Sequence, residues 1–310
     1  LVGEAYLDRM GNVVGLRPCG KPGAKKVLLD AHLDEIGFII TGQEEGYLRF
    51  APLGGVDPRM LSNRELTVLT NPPRLGVVAC LPPHIQSRED MDKSQPISEL
   101  YLDLGLTEEE AKAIPIGTPA VYRTGCLALG KDLLSGKALD DRACFVLLLR
   151  ALELLEGEEL DVDLVVLGST QEETHSTGAI TAAYGLRPDL CVAVDVTHGD
   201  SPDASKDKTF PLGKGPVIGL GPNCTKWISD LMRRCAKEMD LNVQLEVMSG
   251  SSGTNGWPLQ VSREGIATGV LSLPLRYMHT PIETAHQGDM EDTARLLAQF
   301  IRRVGKEGAL

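Results

Sequence analysis

The sequence is poor in aromatic side chains, in positive charge and in long apolar runs. Phe, Trp and Tyr make up only 4% of the 310 residues, so the chain has few flat surfaces on which sugar rings could stack. Lys and Arg number 31 against 43 Asp and Glu, and the resulting net charge of -12 opposes binding to nucleic acid or anionic membranes. No apolar run approaches the length of a membrane span, and no segment resembles a signal peptide. We therefore expect a soluble globular protein that has neither nucleic acid nor membrane as a partner.

Cysteine pairs at close spacing are also lacking. The seven cysteines are scattered between Cys19 and Cys235 without any Cys-x-x-Cys pair, and most lie in apolar stretches. An odd set of buried thiols is typical of a reduced protein rather than of a disulfide framework. The sequence therefore predicts a cytoplasmic location.

Short apolar runs alternate with helical patterns over much of the chain. Runs at 27–30, 164–167 and 190–194 are typical of buried strands, and each ends shortly before a polar residue. Ligands in open α/β sheets bind beyond the carboxyl ends of the strands, so three such ends can converge on one crevice. This alternation predicts an α/β fold with a mixed sheet. Helical periodicity is present at 141–156, 228–239 and 297–304.

The stretch 42–130 has a different pattern. Short β-like runs at 47–50, 65–69 and 75–81 are separated by Gly, Pro and Asn turn signals. This pattern predicts a small β-rich domain inserted into the α/β domain. The discontinuous α/β domain then comprises residues 1–41 and 131–310.

Five side chains that can bind metal ions stand beside apolar runs. Two imidazoles and three carboxylates can hold a pair of divalent ions, because one carboxylate can bridge them while each ion receives two further protein ligands. A shared carboxylate also reduces the repulsion between two cations, which favours metal binding by Asp140 over a role as a helix cap alone. The predicted ligands are His32, Asp140, Glu173, Asp195 and His279.

Two adjacent glutamates follow a predicted buried strand. Glu172 and Glu173 would repel each other there unless a cation lay nearby. On a turn their side chains diverge, so Glu173 can bind a metal ion while Glu172 takes a proton from a metal-bound water. Asp34 follows His32 by two residues and can hold the far nitrogen of that imidazole. We therefore predict Glu172 as the general base and Asp34 as the residue that orients His32.

Each of these residues also has a structural interpretation. Asp140 and Asp141 can cap the following helix, and Asp141 can instead pair with Arg142. Asp195 can belong to a structural salt bridge, and His279 can be a structural histidine. The adjacent glutamates can belong to a solvated acidic loop.

Five segments that carry these residues follow one another along the chain: Ala-His-Leu-Asp-Glu-Ile-Gly-Phe at 31–38, Lys-Ala-Leu-Asp-Asp-Arg at 137–142, Gln-Glu-Glu at 171–173, Val-Asp-Val-Thr-His at 194–198 and Arg-Tyr-Met-His-Thr-Pro at 276–281. Together they resemble the M42 family of metallo-aminopeptidases. The resemblance implies an α/β catalytic domain interrupted by a β-rich, PDZ-like dimerisation domain. It also implies two zinc or cobalt ions per subunit and homo-oligomers, from dimers to tetrahedral dodecamers.

The same resemblance assigns a role to each candidate residue. Thr177 and Asn255 depart from the residues common in the family, and we expect these changes to alter which substrate side chain is accepted. His175 and His198 are further candidates for lining the pocket. The implied roles are Asp140 between the two metals, His32 and Asp195 at one metal, Glu173 and His279 at the other, Glu172 as general base and Asp34 behind His32.

The predicted function is removal of the N-terminal residue from short peptides by a dinuclear-metal aminopeptidase. A glycoside hydrolase that uses Glu172 and Glu173 is one alternative, but adjacent residues rarely flank a sugar bond from its two faces. The second alternative is a non-catalytic protein, a peptide-binding module or assembly scaffold built on the inserted domain. The intact set of candidate metal ligands disfavours this alternative.

Overall fold

The computed structural model describes residues 1–86, 93–202 and 204–307. They form two compact units, of which the second comprises Glu35–Cys126 and His279–Ile282 and the first contains the remaining residues. The two units are groups of residues that pack together, and they do not test the predicted domain boundaries at 42 and 130. Those boundaries stay a prediction.

Strands dominate both units. In chain order they are β1 (Glu4–Leu7), β2 (Val13–Arg17), β3 (Lys25–His32), β4 (Gly37–Glu44), β5 (Tyr47–Leu53), β6 (Glu65–Val68), β7 (Arg74–Ala79), β8 (Tyr101–Asp103), β9 (Pro119–Tyr122), β10 (Leu127–Leu129), β11 (Leu133–Gly136), β12 (Val162–Ser169), β13 (Leu190–His198), β14 (Val217–Leu220), β15 (Gln244–Val247), β16 (Ala267–Arg276) and β17 (Glu283–His286). The α-helices are α1 (Glu108–Lys112), α2 (Leu139–Leu154), α3 (Glu172–His175), α4 (Thr177–Leu186), α5 (Lys226–Glu238), α6 (Gly256–Gln260) and α7 (Gln287–Glu307), and short 3₁₀ helices lie at Pro58–Met60, Pro83–Ile85 and Ile97–Glu99.

Four parallel strands, β12, β3, β13 and β16, form the centre of the sheet in the first unit. Antiparallel strands extend this centre on both sides, in the order β1-β2-β12-β3-β13-β16-β17-β11-β10. Off this path, β14 pairs with β16, and β15 pairs with β14. Residues 27–32 of β3 are all buried, because helices cover both faces of a central parallel strand. The predicted α/β class with a mixed sheet is confirmed.

Helices pack on both faces of this sheet. Apolar side chains of α2, α5 and α7 cover one face, where Phe300 of α7 is fully buried. Side chains of α4 and α6 cover the other face, against Leu28 and Val165. The three segments with predicted helical periodicity fall within or overlap α2, α5 and α7. Among the described residues, no helix combines the length and the apolar character needed to cross a membrane.

The second unit contains a closed six-stranded barrel in the order β4-β5-β8-β7-β6-β9. Alternate residues of β6 and β9 are buried, which turns one face of each strand inward. Inside the barrel Phe38 packs edge-to-face against Phe50 and Tyr122, with ring centroids 5.5 and 5.3 Å away. The predicted β-rich character of this stretch is confirmed.

Candidate metal centre

Four of the five predicted metal ligands lie at the ends of neighbouring elements in the first unit. His32 is the last residue of β3, and Asp195 lies near the end of β13, which pairs with β3. Asp140 is in the first turn of α2, and Glu173 is in α3, which follows β12. Because β12, β3 and β13 run parallel, their carboxyl ends meet at one edge of the sheet.

The candidate ligand atoms form two overlapping groups that share His32. One ligand atom from each of His32, Asp140 and Glu173 lies within 4.8 Å of the others. The same holds for a second group of His32, Asp141 and Asp195. In the first group, Nε2 of His32 lies 3.1 Å from Oδ1 of Asp140. The structure therefore gathers donors from four separate segments of the chain into one buried cluster.

Asp34 contacts both His32 and the start of α3. Its Oδ1 lies 3.5 Å from Nδ1 of His32, and its carboxylate accepts the backbone N–H groups of Glu172 and Glu173 at 3.1 and 3.2 Å. Burial raises the pKa of Asp34, but the interaction with His32 and the two N–H groups outweighs burial and holds the pKa below its usual value. Asp34 is therefore an ionised carboxylate that faces the imidazole and holds the backbone at the start of α3. Its backbone carbonyl oxygen lies closer to the ring, 3.2 Å from Nδ1 of His32.

The environment of His32 favours a positive charge. Burial alone would lower its pKa, but Asp140 and Asp34 raise it well above its usual value. A histidine binds a metal ion through a deprotonated nitrogen, so metal ions compete with protons for such a ring. The same surrounding carboxylates that hold a proton on His32 would thus attract a metal cation in its place.

The acidic side chains of the cluster are hard to ionise together. Burial raises the pKa of Glu172 to about 7 and that of Glu173 to about 8, and the negative charge of Asp140 adds to both shifts. Burial also raises the pKa of Asp195 well above its usual value. Divalent cations would supply the missing positive charge, and mixed imidazole and carboxylate donors suit zinc and related ions. The residues present therefore fit a divalent metal site.

Asp140 does not cap α2. The N-cap of this helix is Ala138, which makes no side-chain capping bond, and Asp140 and Asp141 both depart from helical backbone angles. The backbone N–H of Asp140 instead donates to Oε2 of Glu283 at 3.1 Å. Glu283 is 2% exposed, and no motif in the sequence singles it out.

The position of Asp141 does not match its predicted role as a helix cap or as a partner of Arg142. It is fully buried, and its Oδ2 accepts the backbone N–H of His32 at 3.1 Å. Its Oδ1 has no hydrogen-bond partner among the described residues, and Arg142 donates through Nε to the carbonyl of Leu33. Asp141 precedes buried Leu148 by seven residues, so the helical periodicity of α2 could have placed it on the inward face.

His279, the fifth predicted ligand, belongs to the second unit, in the segment His279–Ile282. Its Nδ1 lies 3.1 Å from the carbonyl oxygen of Gly55. A Cβ on Gly55 would come within 2.8 Å of this ring nitrogen, so the close approach requires glycine. The role of His279 as a ligand stays a prediction.

Asn255, one of the two departures from the family pattern, lies in a buried polar network. It is 2% exposed, and its Nδ2 donates to Oδ2 of Asp30 at 2.8 Å and to Oγ of Ser169 at 2.9 Å. Burial raises the pKa of Asp30 to about 6. The Asn255 amide therefore connects α6 to strands β3 and β12, two residues below His32 on β3, and a carboxylate in its place would face Asp30.

The parallel strand ends with their buried carboxylates and imidazole define the class of the protein: an α/β protein with a candidate site for divalent metal ions. A family model described as M42 glutamyl aminopeptidase matches residues 11–296. The chain therefore belongs to the M42 peptidase family and is a peptidase.

Relatives and solved structures agree with this assignment. A lysyl aminopeptidase of Pyrococcus furiosus is 35% identical over 97% of this chain and 87% of its own length. The structure of an aminopeptidase from the archaeon Desulfurococcus kamchatkensis has a TM-score of 0.89 and 34% identity, covering 97% of this chain and 86% of that one. The TET1 peptidase of Pyrococcus horikoshii, described as assembling into a tetrahedron or a large octahedral shell, has a TM-score of 0.84 and 29% identity, covering 96% and 89%.

Proposed function

We propose that the protein is a dinuclear-metal aminopeptidase that removes the N-terminal residue from short peptides. The observation that carries the proposal is the pair of three-residue groups that share His32, each with its ligand atoms within 4.8 Å. One nitrogen of His32 binds a single cation, so a second cation would take its ligands from the carboxylates of these groups, with one carboxylate shared between the two ions. Membership of the M42 peptidase family supports the same reaction.

Asp140 is the proposed bridging ligand between the two metal ions. His32 and Asp195 complete one site, and Glu173 and His279 complete the other. Zinc or cobalt ions bound there would act as Lewis acids toward the scissile carbonyl and the attacking water. The buried Asp140 carboxylate, 3.1 Å from Nε2 of His32, supports the assignment of these two residues to a shared metal.

Glu172 is the proposed general base. It takes a proton from the attacking water and passes it to the departing amine. Burial raises the pKa of Glu172 to about 7 without metal ions, and nearby divalent cations would lower it, so that the carboxylate could accept a proton. Asp34 contributes by position, since it holds the backbone of Glu172 and faces the His32 ring.

Residues 42–130 are the proposed dimerisation domain, PDZ-like in type, and the second unit, Glu35–Cys126 with His279–Ile282, contains the barrel of this domain. We further propose a cytoplasmic homo-oligomer built from dimers, which can extend to a tetrahedral dodecamer. The assembly described for the TET1 peptidase, 29% identical to this chain, supports the oligomer. Residues 1–41 and 131–310 form the proposed catalytic domain.

A panel of aminoacyl chromogenic amides tests the reaction class. We expect turnover in the presence of zinc, cobalt or manganese and loss of turnover after chelation, because the proposed chemistry needs the metal. Cellulose-derived substrates serve as the control, since a glycosidase that uses only carboxylates would survive chelation. Chelator-resistant sugar cleavage, or no amide turnover with any metal, would contradict the proposal.

Removal of metal should also make stability depend on pH. The pKa values of Glu172 and Glu173 are raised to about 7 and about 8, from an ordinary value of 4.5. Between about pH 5 and 8 the metal-free folded state therefore binds more protons than the unfolded state, so these groups reduce its stability as the pH rises. Bound metal ions replace those protons.

We expect the Tm gap between metal-loaded and metal-free protein to widen from pH 5 to pH 8. Thermal unfolding followed by fluorescence, with and without chelator, measures this gap. A variant with Glu172→Gln and Glu173→Gln is the control, and the contribution of these two carboxylates should be missing from its metal-free curve. A gap that stays constant over this range would contradict the prediction.

A further inference from the structure

Asn12 is a buried polar residue that the proposed mechanism does not use. It lies between β1 and β2, directly before Val13, which pairs with Gly168 near the end of β12. Its side chain is 0% exposed. A buried amide costs free energy unless its donors and acceptors find partners. The partners of Asn12 lie at the two ends of the segment 171–177, which contains α3 and is called the α3 segment below.

The Asn12 side chain joins the two ends of the α3 segment. Its Oδ1 accepts the backbone N–H of Thr170 at 2.9 Å and the hydroxyl of Thr170 at 3.0 Å. Its Nδ2 donates to the carbonyl oxygen of Gly178 at 3.0 Å. A Cβ on Gly178 would come within 2.3 Å of Oδ1 of Asn12, so this close approach requires glycine. One side chain therefore closes the α3 segment at its base.

Asp8 fixes the orientation of the Asn12 amide. Its Oδ2 accepts the second N–H of Nδ2 at 2.7 Å, and its Oδ1 accepts the backbone N–H groups of Met10 and Asn12 at 2.8 and 3.0 Å. A carboxylate can only accept hydrogen bonds, so it must face the nitrogen of the amide. The oxygen of Asn12 is then left for Thr170, and both donors and both acceptor positions of the amide are used.

The α3 segment depends on contacts with the rest of the protein. Gln171 and Ser176 have left-handed backbone angles, with φ of 62° and 53°, which residues other than glycine keep only where surrounding contacts hold them. Between them α3 is a single turn, closed by N–H groups of His175 and Ser176 on the carbonyl of Gln171. An isolated turn of helix is not stable in water. The positions of Glu172 and Glu173 are therefore set by whatever holds this segment.

Two side chains hold the segment at different points. Asp34 accepts the backbone N–H groups of Glu172 and Glu173 at the start of α3, whereas Asn12 connects the residues before and after the whole segment. A general base must lie within hydrogen-bond reach of the proton that it takes. A displacement of about 1 Å can lower a rate about 100-fold.

We propose that Asn12 is a positioning residue of the reaction, which keeps Glu172 in place by closing the segment that carries it. Asn12 acts through Glu172 and does not itself contact the substrate. The inference rests on the proposed aminopeptidase function, in which Glu172 is the general base.

The main test is a double-mutant cycle of Asn12→Ala and Glu172→Gln in the full chain, with an aminoacyl p-nitroanilide and saturating zinc or cobalt. Asn12→Ala alone should lower kcat about 10- to 100-fold and change KM by less than about threefold, because the base is misplaced while substrate binding is kept. In the Glu172→Gln background the same replacement should lower kcat by less than about threefold, because no base is left to misplace. Metal analysis of each sample checks that the ions are still bound.

Hydrogen exchange followed by mass spectrometry tests closure of the α3 segment without reference to catalysis. Peptides that cover 171–178 should exchange about tenfold faster in Asn12→Ala, because the hydrogen bonds that close the segment are lost. Ser229→Ala is the matched control, since Ser229 is also buried and donates to the carbonyl oxygen of Gly219 at 2.8 Å. It should leave both kcat and the exchange of these peptides within about twofold of the wild type.

Thr170→Val is a milder second variant, which decides the matter if Asn12→Ala does not fold. It removes the hydroxyl that bonds Oδ1 of Asn12 and keeps the backbone N–H bond to the same oxygen. It should lower kcat about 2- to 10-fold and speed exchange of 171–178 to a similar degree, as expected for one lost hydrogen bond.

The positioning role would be refuted by an unchanged kcat in these variants, or by losses from Asn12→Ala and Glu172→Gln that simply multiply. Unchanged exchange of 171–178 would refute closure of the segment by Asn12. If the wild type cleaves no aminoacyl amide with any metal, the aminopeptidase function itself fails, and the catalytic role of Asn12 fails with it whatever the exchange data show.

Discussion

Replacement of Glu172 by Gln is expected to lower kcat by about 10²- to 10⁴-fold, the usual contribution of a positioned general base. Gln has nearly the same shape but cannot accept the proton of the attacking water. The proposed metal ligands stay in place, and Oε2 of Glu172 lies 3.9 Å from Nε2 of His32, so its loss removes no short contact to that ring. Steady-state kinetics at saturating zinc or cobalt, together with metal analysis of the same sample, measure the effect.

Glu156→Gln is the control for the loss of one negative charge, because Glu156 is exposed near the end of α2. It should retain normal turnover and metal content. Two results would count against Glu172 as the base: normal turnover of the Gln variant with both ions bound, or turnover lost only because metal is lost. A fall in kcat with unchanged metal content would support the assignment.

Asp140→Asn is expected to abolish turnover by releasing both metal ions. A neutral amide cannot bridge two cations as a carboxylate does, and without a shared negative charge the cations repel each other. The substitution preserves volume at a buried position, and the backbone N–H of residue 140 can still donate to Glu283. Metal analysis after gel filtration should show a fall from about two ions per subunit toward none.

Asp195→Asn is the matched control, since Asp195 is also buried and is proposed to bind only one of the two ions. We expect this variant to keep about one ion per subunit. The bridging role would be refuted by an Asp140→Asn protein that still holds two ions, or by one that loses the same single ion as Asp195→Asn. Circular dichroism of both variants checks that the sheet is intact.

The sequence was sufficient for the α/β class because its signals are local. The apolar runs before His32 and Asp195 are strands β3 and β13, and the helical periodicity of 297–304 lies within α7. Burial of a central parallel strand on both faces demands such continuous apolar runs. The short β-like runs at 47–50 and 65–69, bounded by turn residues, indicated a β-rich unit equally directly. In the structure their residues alternate between buried and more exposed, as expected for barrel strands covered on one side.

Other parts of the site depend on contacts between distant segments, which no local pattern encodes. The adjacent acids Asp140 and Asp141 resemble helix caps in sequence, and only the packing of α2 against β3 brings Asp141 to the backbone of His32. Likewise, Asn255 meets Asp30 across 225 positions of the chain.

Asp34 connects two parts of the candidate site through a single carboxylate. Its carboxylate holds the amides of Glu172 and Glu173 while it faces the ring of His32, so a displacement of any one of them is transmitted to the rest. The backbone of the proposed base Glu172 and the His32 ring are therefore held by the same carboxylate. We therefore expect differences in substrate preference among related proteins to come from side chains around the site, which can change without disturbing the contacts of Asp34.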